Sequence, residues 1–99
     1  MKSFKEHTLT EMKQRQYSVR VEPSSAKKAK WIAQDFRNEG GSYTQEGRNG
    51  FLLANKEKAQ ALVYMFMMDN IQIKSITEIT IDYGDHSYRK ITPKDLMDL

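Results

Sequence analysis

Apolar side chains recur at every second residue in some segments of this chain and at helical spacing in others, and the order of these segments restricts the fold. Tyr17, Val19 and Val21 alternate with polar residues, which predicts a half-buried strand that ends at Pro23. The next segment has the pattern of an amphipathic helix. Its predicted core stripe is Ala29, Ile32, Ala33 and Phe36.

The ends of this first helix carry residues suited to capping. Ser24 or Ser25 can accept a hydrogen bond from an unpaired backbone N–H at its start. Gly40 and Gly41 can close its last turn, because glycine adopts the left-handed conformation without steric cost. The helix is therefore expected to stop at this glycine pair.

The stretch SYTQEGRNGFLLAN has the composition of a β-hairpin. Tyr43 lies in the first arm, and Asn49 with Gly50 is expected to supply the positive φ angles of the turn. Residues 51–54 form the return arm. This arm is apolar throughout, which is typical of a central strand covered by helix.

A second helix is predicted from Lys56 to about Asn70, with Asn55 as its N-cap. Its predicted core stripe is Ala59, Leu62, Val63 and Phe66. Further apolar residues lie beyond this stripe, namely Tyr64, Met65, Met67 and Met68. This excess indicates burial on a second side, by a partner protein or by the C-terminal residues Leu96, Met97 and Leu99. The small size of the chain favours the C-terminal residues.

The C-terminal part returns to strand patterning. Residues 78–83 alternate as a strand, 84–87 have turn composition, and 88–91 are predicted to form a short fifth strand. Thr92 and Pro93 begin a final helical turn. The order is βαββαβ with a short β/α extension, which predicts one α+β domain of ferredoxin-like type. Its first and third strands are expected at the centre of an antiparallel sheet.

Basic residues are concentrated in the middle of the chain. Residues 12–75 contain eleven Lys and Arg against six Asp and Glu, although the net charge of the whole chain is only +3. Such an excess favours contact with nucleic acid or with acidic proteins.

The predicted contact face combines the first helix with the hairpin. Lys27, Lys28 and Lys30 lie on the helix, Trp31 stands outside its core stripe, and Arg48 lies in the hairpin. The alternative interpretation is that the lysines are a solvated helix surface and that Trp31 covers an edge of the core.

Catalytic, metal and cofactor motifs are absent from the sequence. It contains no cysteine, and His7 and His86 have no neighbours at metal-ligand spacing. Asp82 and Asp85 with His86 could form a small site, but turn composition explains this segment more simply. The chain also lacks an apolar stretch of membrane-spanning length and the apolar block of a secretory signal. We predict no enzymatic activity, no metal, no cofactor and no membrane association.

The hairpin supports a second hypothesis, a small regulatory protein that binds RNA or single-stranded DNA. Arg48, Gly50 and Phe51 loosely fit the third-strand signature of the RNA-recognition motif, in which aromatic residues stack on bases. The second aromatic of that signature is missing. Arg20 and Tyr43 would supply further contacts.

The first eleven residues, MKSFKEHTLTE, precede every predicted element. Met1-Lys2-Ser3-Phe4 and Leu9-Thr10-Glu11 resemble the two ends of the capsid-targeting leaders found on internal head proteins of T-even-type tailed phages. The prohead protease cuts such leaders after the Glu of a Leu-x-Glu or Ile-x-Glu site. The alternative is an N-terminal arm or a short amphipathic helix that docks Phe4 and Leu9 on the domain.

The resemblance to these leaders implies how the protein is processed, where it lies and what it binds. The protease would recognise the site formed by Leu9, Thr10 and Glu11 and cut after Glu11, so the mature protein would start at Met12. The partners would be the prohead and its protease. The protein would lie with DNA in the virion interior and then enter the host cytoplasm, where it would bind DNA or inhibit a host defence protein. We expect a monomer or a weak dimer.

Overall fold

A computed structural model describes residues 14–99 of the chain, and the proposed cleavage residues Leu9, Thr10 and Glu11 lie outside this range. The elements in chain order are β1 (Gln14–Val21), a 3-10 turn (Pro23–Ser25), α1 (Ala26–Asn38), β2 (Thr44–Glu46), β3 (Gly50–Leu53), α2 (Lys56–Met68), β4 (Ile73–Asp82), β5 (Asp85–Ile91) and α3 (Pro93–Met97). The α+β class predicted from the sequence is confirmed.

The strands of residues 14–99 form one antiparallel sheet in the order β2-β3-β1-β4-β5. β1 lies at the centre and pairs with β3, as predicted. The sheet differs from a four-stranded ferredoxin-like sheet because β5 is a full seven-residue strand that pairs along β4. The predicted short extension is thus an integral edge of the sheet.

The core lies between one face of the sheet and the two main helices. Alternate residues of the three inner strands face the helices and are fully buried, for example Val19 of β1, Phe51 of β3 and Ile76 of β4. The predicted core stripes of both helices are confirmed as buried: Ala29, Ile32, Ala33, Phe36, Ala59, Leu62, Val63 and Phe66. The periodicity of the sequence therefore identified the buried side of each helix.

The two ends of α1 differ in how well the sequence described them. The capping prediction for its start was wrong, because no serine side chain caps the helix and Ser25 Oγ instead accepts a 3.4 Å hydrogen bond from the backbone N–H of Gln72. At the other end Gly40 has φ 100°, and Gly41 N–H donates to the Phe36 carbonyl over 2.9 Å. A Cβ at Gly41 would collide with the Phe36 ring, so both glycines are required.

The turn of the β2–β3 hairpin differs from the prediction. Gly47 has the positive φ of 70°, whereas Asn49 and Gly50 do not. Asn49 instead extends the pairing of β1, because its side-chain Nδ2 donates to the Val21 carbonyl over 2.6 Å. Gly50 is needed for space, since a Cβ there would lie 2.5 Å from the Glu46 carbonyl oxygen.

The β4–β5 hairpin is longer than predicted. β4 begins at Ile73, before the predicted 78–83 strand, because residues 73 and 75–77 pair with β1. The turn is only Tyr83 and Gly84, with φ of 55° and 88°, so the predicted 84–87 turn was wrong. Two positive φ angles give the turn type that matches strand twist.

The C-terminal helix covers only part of α2. Asn55 caps α2 as predicted, and Leu96 of α3 is fully buried, with its carbonyl accepting a hydrogen bond from Gln60 Nε2. The exposed residues of the apolar excess are Tyr64, Met67 and Met68, and Leu99 is also exposed. Residues 14–99 therefore do not bury the whole excess, and the prediction of intramolecular cover holds only for the Leu96 side.

Helix α3 begins with a reciprocal capping arrangement. Thr92 Oγ1 accepts from the Asp95 backbone N–H, and Asp95 accepts from the Thr92 backbone N–H. The backbone and side-chain hydrogen bonds with Thr92 lower the pKa of Asp95, because they favour the ionised carboxylate. Pro93 lies inside the first turn, as predicted.

Candidate functional site

The flank of α1 that faces β2 forms a surface groove of about 490 Å³, which is called the α1 groove below. Residues spaced by four and three positions along α1 lie on one side of the helix and form one wall. The other wall comes from the chain before and within β2, which the glycine pair turns back against α1. The lining residues are Lys30, Trp31, Gln34, Arg37, Tyr43 and Gln45. Two are cationic, two are aromatic, two are amides, and none is acidic.

Arg37 and Tyr43 form the fixed part of the α1 groove. The Arg37 guanidinium lies 4.0 Å from the centre of the Tyr43 ring, and its Nη2 donates to the Tyr43 carbonyl over 2.9 Å. The Tyr43 ring also meets the buried Phe51 edge to face at 5.5 Å. The core therefore positions Tyr43, and Tyr43 in turn holds an exposed guanidinium at the groove.

Trp31 is the accessible aromatic surface of the groove. Its side chain is 65% exposed, although it is the only tryptophan of the chain. Lys27 Nζ lies 5.6 Å from the ring centre, one helical turn before it. A cation beside an exposed indole can bind a phosphate while the ring stacks on a base or another flat group.

The structure separates the five residues predicted to bind. Lys27, Lys30 and Trp31 lie together at the α1 groove. Lys28 lies on the side of α1 that faces α2, where its Nζ donates to the Asp69 carbonyl over 3.2 Å. Arg48 is exposed in the β2–β3 turn and does not line the groove.

Three groove residues were missed by the sequence analysis. Gln34 and Arg37 follow Lys30 by four and seven residues, so helical spacing could have identified them. Gln45 had no comparable signal, because it reaches the groove only through the chain reversal after α1. As a binding residue, Tyr43 was named only for the RNA-binding hypothesis.

The structure excludes Phe51 as a contact residue of the RNA-binding hypothesis. Phe51 is fully buried and faces the helices, with its ring 5.5 Å from that of Phe66. It cannot stack on a base without unfolding β3. Arg20 is exposed on the opposite face of the sheet, and Tyr43 is packed against the core.

A polar cluster is buried at the β1–β4–β5 side of the core. Tyr17 OH donates to Glu78 Oε2 over 3.0 Å, and Arg89 Nη2 lies 3.0 Å from Glu78 Oε1. Burial raises the pKa of Tyr17 to about 12, and the hydrogen bond and negative charge of Glu78 add to the shift. The cluster pairs a carboxylate inside the core, and the Glu78 side chain is only 7% exposed.

The β4–β5 turn, with Asp82, Asp85 and His86 beside it, does not form a metal site in the described structure. His86 stacks on Tyr88 at a centroid distance of 6.4 Å, while Asp82 and Asp85 are paired beside the turn. Across residues 14–99 no group of three or more His, Cys, Asp or Glu could hold a metal ion. Nor is any helix in this range long and apolar enough to cross a membrane.

The fold and groove define the protein as an α+β protein with a basic, aromatic surface site. Comparison with protein-family models, with curated proteins and with solved structures finds no match to this chain.

Proposed function

We propose that this protein acts by binding DNA through the α1 groove, without catalysing a reaction, after it has been packaged as an internal head protein of a tailed phage. The observation that carries the binding step is the position of Lys27, Lys30 and Arg37 around the exposed Trp31. Lysine and arginine can neutralise phosphates, and the indole can stack on a base. The absence of acidic groups from the groove lining favours a polyanion as ligand.

DNA is favoured over an acidic protein surface by the composition of the groove. Both ligands need cations, but only a nucleic acid also offers bases that can stack on a flat exposed ring between them. The amides of Gln34 and Gln45 add donors and acceptors that suit base edges. Inhibition of a host defence protein is the second possible outcome of the same packaging route, with the groove as its docking surface.

The charge on Lys30 tests the DNA-binding proposal. We expect Lys30→Glu to weaken binding to an oligonucleotide roughly tenfold or more and to reduce the slope of log affinity against log salt by about one. Trp31→Ala should reduce affinity for single-stranded DNA by a further factor, on the order of tenfold for one lost stacking contact. Anisotropy titrations with labelled duplex and single-stranded DNA at several salt concentrations measure both effects.

Lys28→Glu is the matched control, because it makes the same charge change on the same helix but outside the groove. Its affinity should stay close to that of the unaltered protein. Equal losses for Lys28→Glu and Lys30→Glu would show that only the overall charge matters and would contradict the assignment of the groove. Absence of DNA binding at low salt would direct the search to an acidic protein partner.

The packaging step rests on the resemblance of residues 1–11 to capsid-targeting leaders. All the elements described within residues 14–99 follow the proposed cut after Glu11. We expect co-expression with a prohead protease of the T-even type to remove residues 1–11. A Glu11→Ala variant should stay intact.

Intact-mass spectrometry distinguishes the two products. An uncut chain, with a known leader cut in the same cells, would remove the support for packaging. The DNA-binding proposal would then still stand on the groove alone.

A small RNA- or single-stranded-DNA-binding regulator is the second candidate function, and the exposed Trp31 is the observation that favours it. Stacking on Trp31 requires an unpaired base. Strong preference for single strands together with an uncut leader would favour this regulator. Comparable binding to duplex DNA together with cleavage would favour the packaged protein.

The fold class can be proposed in finer terms. We infer that β1 to β4 with α1 and α2 are a ferredoxin-like unit to which β5 and α3 have been added. The order β2-β3-β1-β4 and the position of both helices on one face support this inference.

A further inference from the structure

The outer edge of β5 is unlike the other edge of the sheet. β5 has seven residues, contains no proline and pairs with β4 without a register shift, whereas β2 at the opposite edge has three residues. Within residues 14–99 no strand pairs with the outer side of β5. A long, regular edge strand presents a row of backbone donors and acceptors to a further strand.

The register of the hairpin identifies which backbone groups face outward. Asp82 and Asp85 flank a two-residue turn, so this pair exchanges both backbone hydrogen bonds, and such pairs alternate along the ladder. Asp85, Ser87 and Arg89 therefore bond to β4. The backbone N–H and C=O groups of residues 86, 88 and 90 point to the free edge.

We propose that β5 pairs with β5 of a second copy of this chain, antiparallel and centred on Ser87. In this register His86 of each copy forms the hydrogen-bonded pair with Tyr88 of the other. Asp85 of each copy then lies opposite Arg89 of the other, on the helix side of the sheet. Because a twofold axis relates the two copies, each of these contacts occurs twice.

The charges of the β5 side chains favour the register centred on Ser87 and a second copy of this chain as the partner. Asp85 opposite Arg89 is a favourable cross-strand pair, and the twofold repeats it. The register centred on Tyr88 would instead place His86 opposite Lys90, without an acidic partner for either. Arg89 can donate to a further carboxylate although it already pairs with Glu78 and lies near Asp95, because its side chain is 65% exposed and the guanidinium has five donors.

The paired copies would form a continuous ten-stranded sheet with both helix layers on the same side. The two α1 grooves lie near β2, at the far edges of that sheet, roughly 40 Å apart at ordinary strand spacing. Two linked grooves would bind one DNA molecule more tightly than a single groove does. The pairing itself does not depend on DNA binding and is tested without DNA.

Sedimentation equilibrium of the full chain over micromolar to millimolar concentration tests the pairing. We expect a reversible dimer whose dissociation constant rises roughly tenfold in Asp85→Lys, because two like-charge pairs replace two attractive ones. Asp35→Lys is the matched control, since it makes the same charge change at an exposed residue of α1, away from β5, and it should leave dimerisation unchanged. A monomer at every concentration would overturn the proposal, as would equal effects of the two variants.

The absence of cysteine from the chain allows a direct test of register. Ser87 residues of the two copies would face each other in a non-hydrogen-bonded pair, which brings Cα atoms within the range of a disulfide. Ser87→Cys should therefore form a covalent dimer under mild oxidation, whereas Lys90→Cys on the same strand should not. Cross-linking of Tyr88→Cys in preference to Ser87→Cys would overturn the register.

Discussion

Phe51→Ala is expected to cost about 3–5 kcal/mol of unfolding free energy, the usual range for truncating a buried phenylalanine. The ring is fully buried and contacts Tyr43 and Phe66 at centroid distances of 5.5 Å each. Its loss leaves a cavity between β3 and α2. Since small domains are stable by only about 5–15 kcal/mol, urea denaturation followed by circular dichroism should show a large fall in the midpoint.

Leu52→Ala is the control for this prediction. Leu52 is the next residue of the same strand, but its side chain is only half-buried on the face away from the helices. We expect a clearly smaller loss of stability there. If Phe51→Ala kept its stability and lost only nucleic-acid affinity, Phe51 would be a contact residue after all, and its buried position would be refuted.

Glu78→Ala is expected to lower stability by about 2–3 kcal/mol. The change removes the acceptor of a buried tyrosine hydroxyl and the partner of Arg89 together. An unpaired buried hydroxyl carries its full desolvation cost, while the exposed part of Arg89 can recover water. Thermal unfolding of Glu78→Ala and of Glu78→Gln measures the effect. Glu78→Gln keeps an acceptor for Tyr17 and should lose less.

The titration of Tyr17 gives a second measurement on the same variants. The pKa of Tyr17 is raised from 10.0 to about 12, so the folded state favours the neutral phenol. The resulting stabilisation is fully present below pH 10 and is lost as the pH rises from 10 towards 12. In Glu78→Ala the pKa should fall but stay above 10, because burial is the larger cause.

Tyrosinate absorbance between these pH values measures that shift. Tyr17→Phe should remove the late-titrating component from the unaltered protein. A titration curve of Tyr17→Phe identical to that of the unaltered protein would contradict the assignment to Tyr17.

The positions of the helices and of β1 and β3 followed from the sequence because they depend on local patterns. Apolar spacing identified the buried side of α1 and α2, and Asn55 and the pair Gly40–Gly41 marked helix ends through backbone geometry. These features require only a residue's own neighbours in the chain. The order of elements and the α+β class were predictable for the same reason.

Strand ends and turns depended on pairing between distant residues. Residues 73–77 belong to β4 because β1 lies beside them, and Asn49 extends the pairing of β1 while Gly47 has the positive φ. No local pattern specifies such partners. The width of the sheet was likewise decided when β5 paired along β4.

The sequence identified only part of the candidate site. Lys27, Lys30 and Trp31 share one side of α1, and helical spacing alone groups them. The tertiary structure places the end of α2 beside Lys28, so Lys28 is not part of the groove. Arg48 also lies outside the groove. The chain reversal after α1 brings Tyr43 into contact with Arg37. A surface site is formed by residues from several segments, so spacing within one helix determines only the part that this helix contributes.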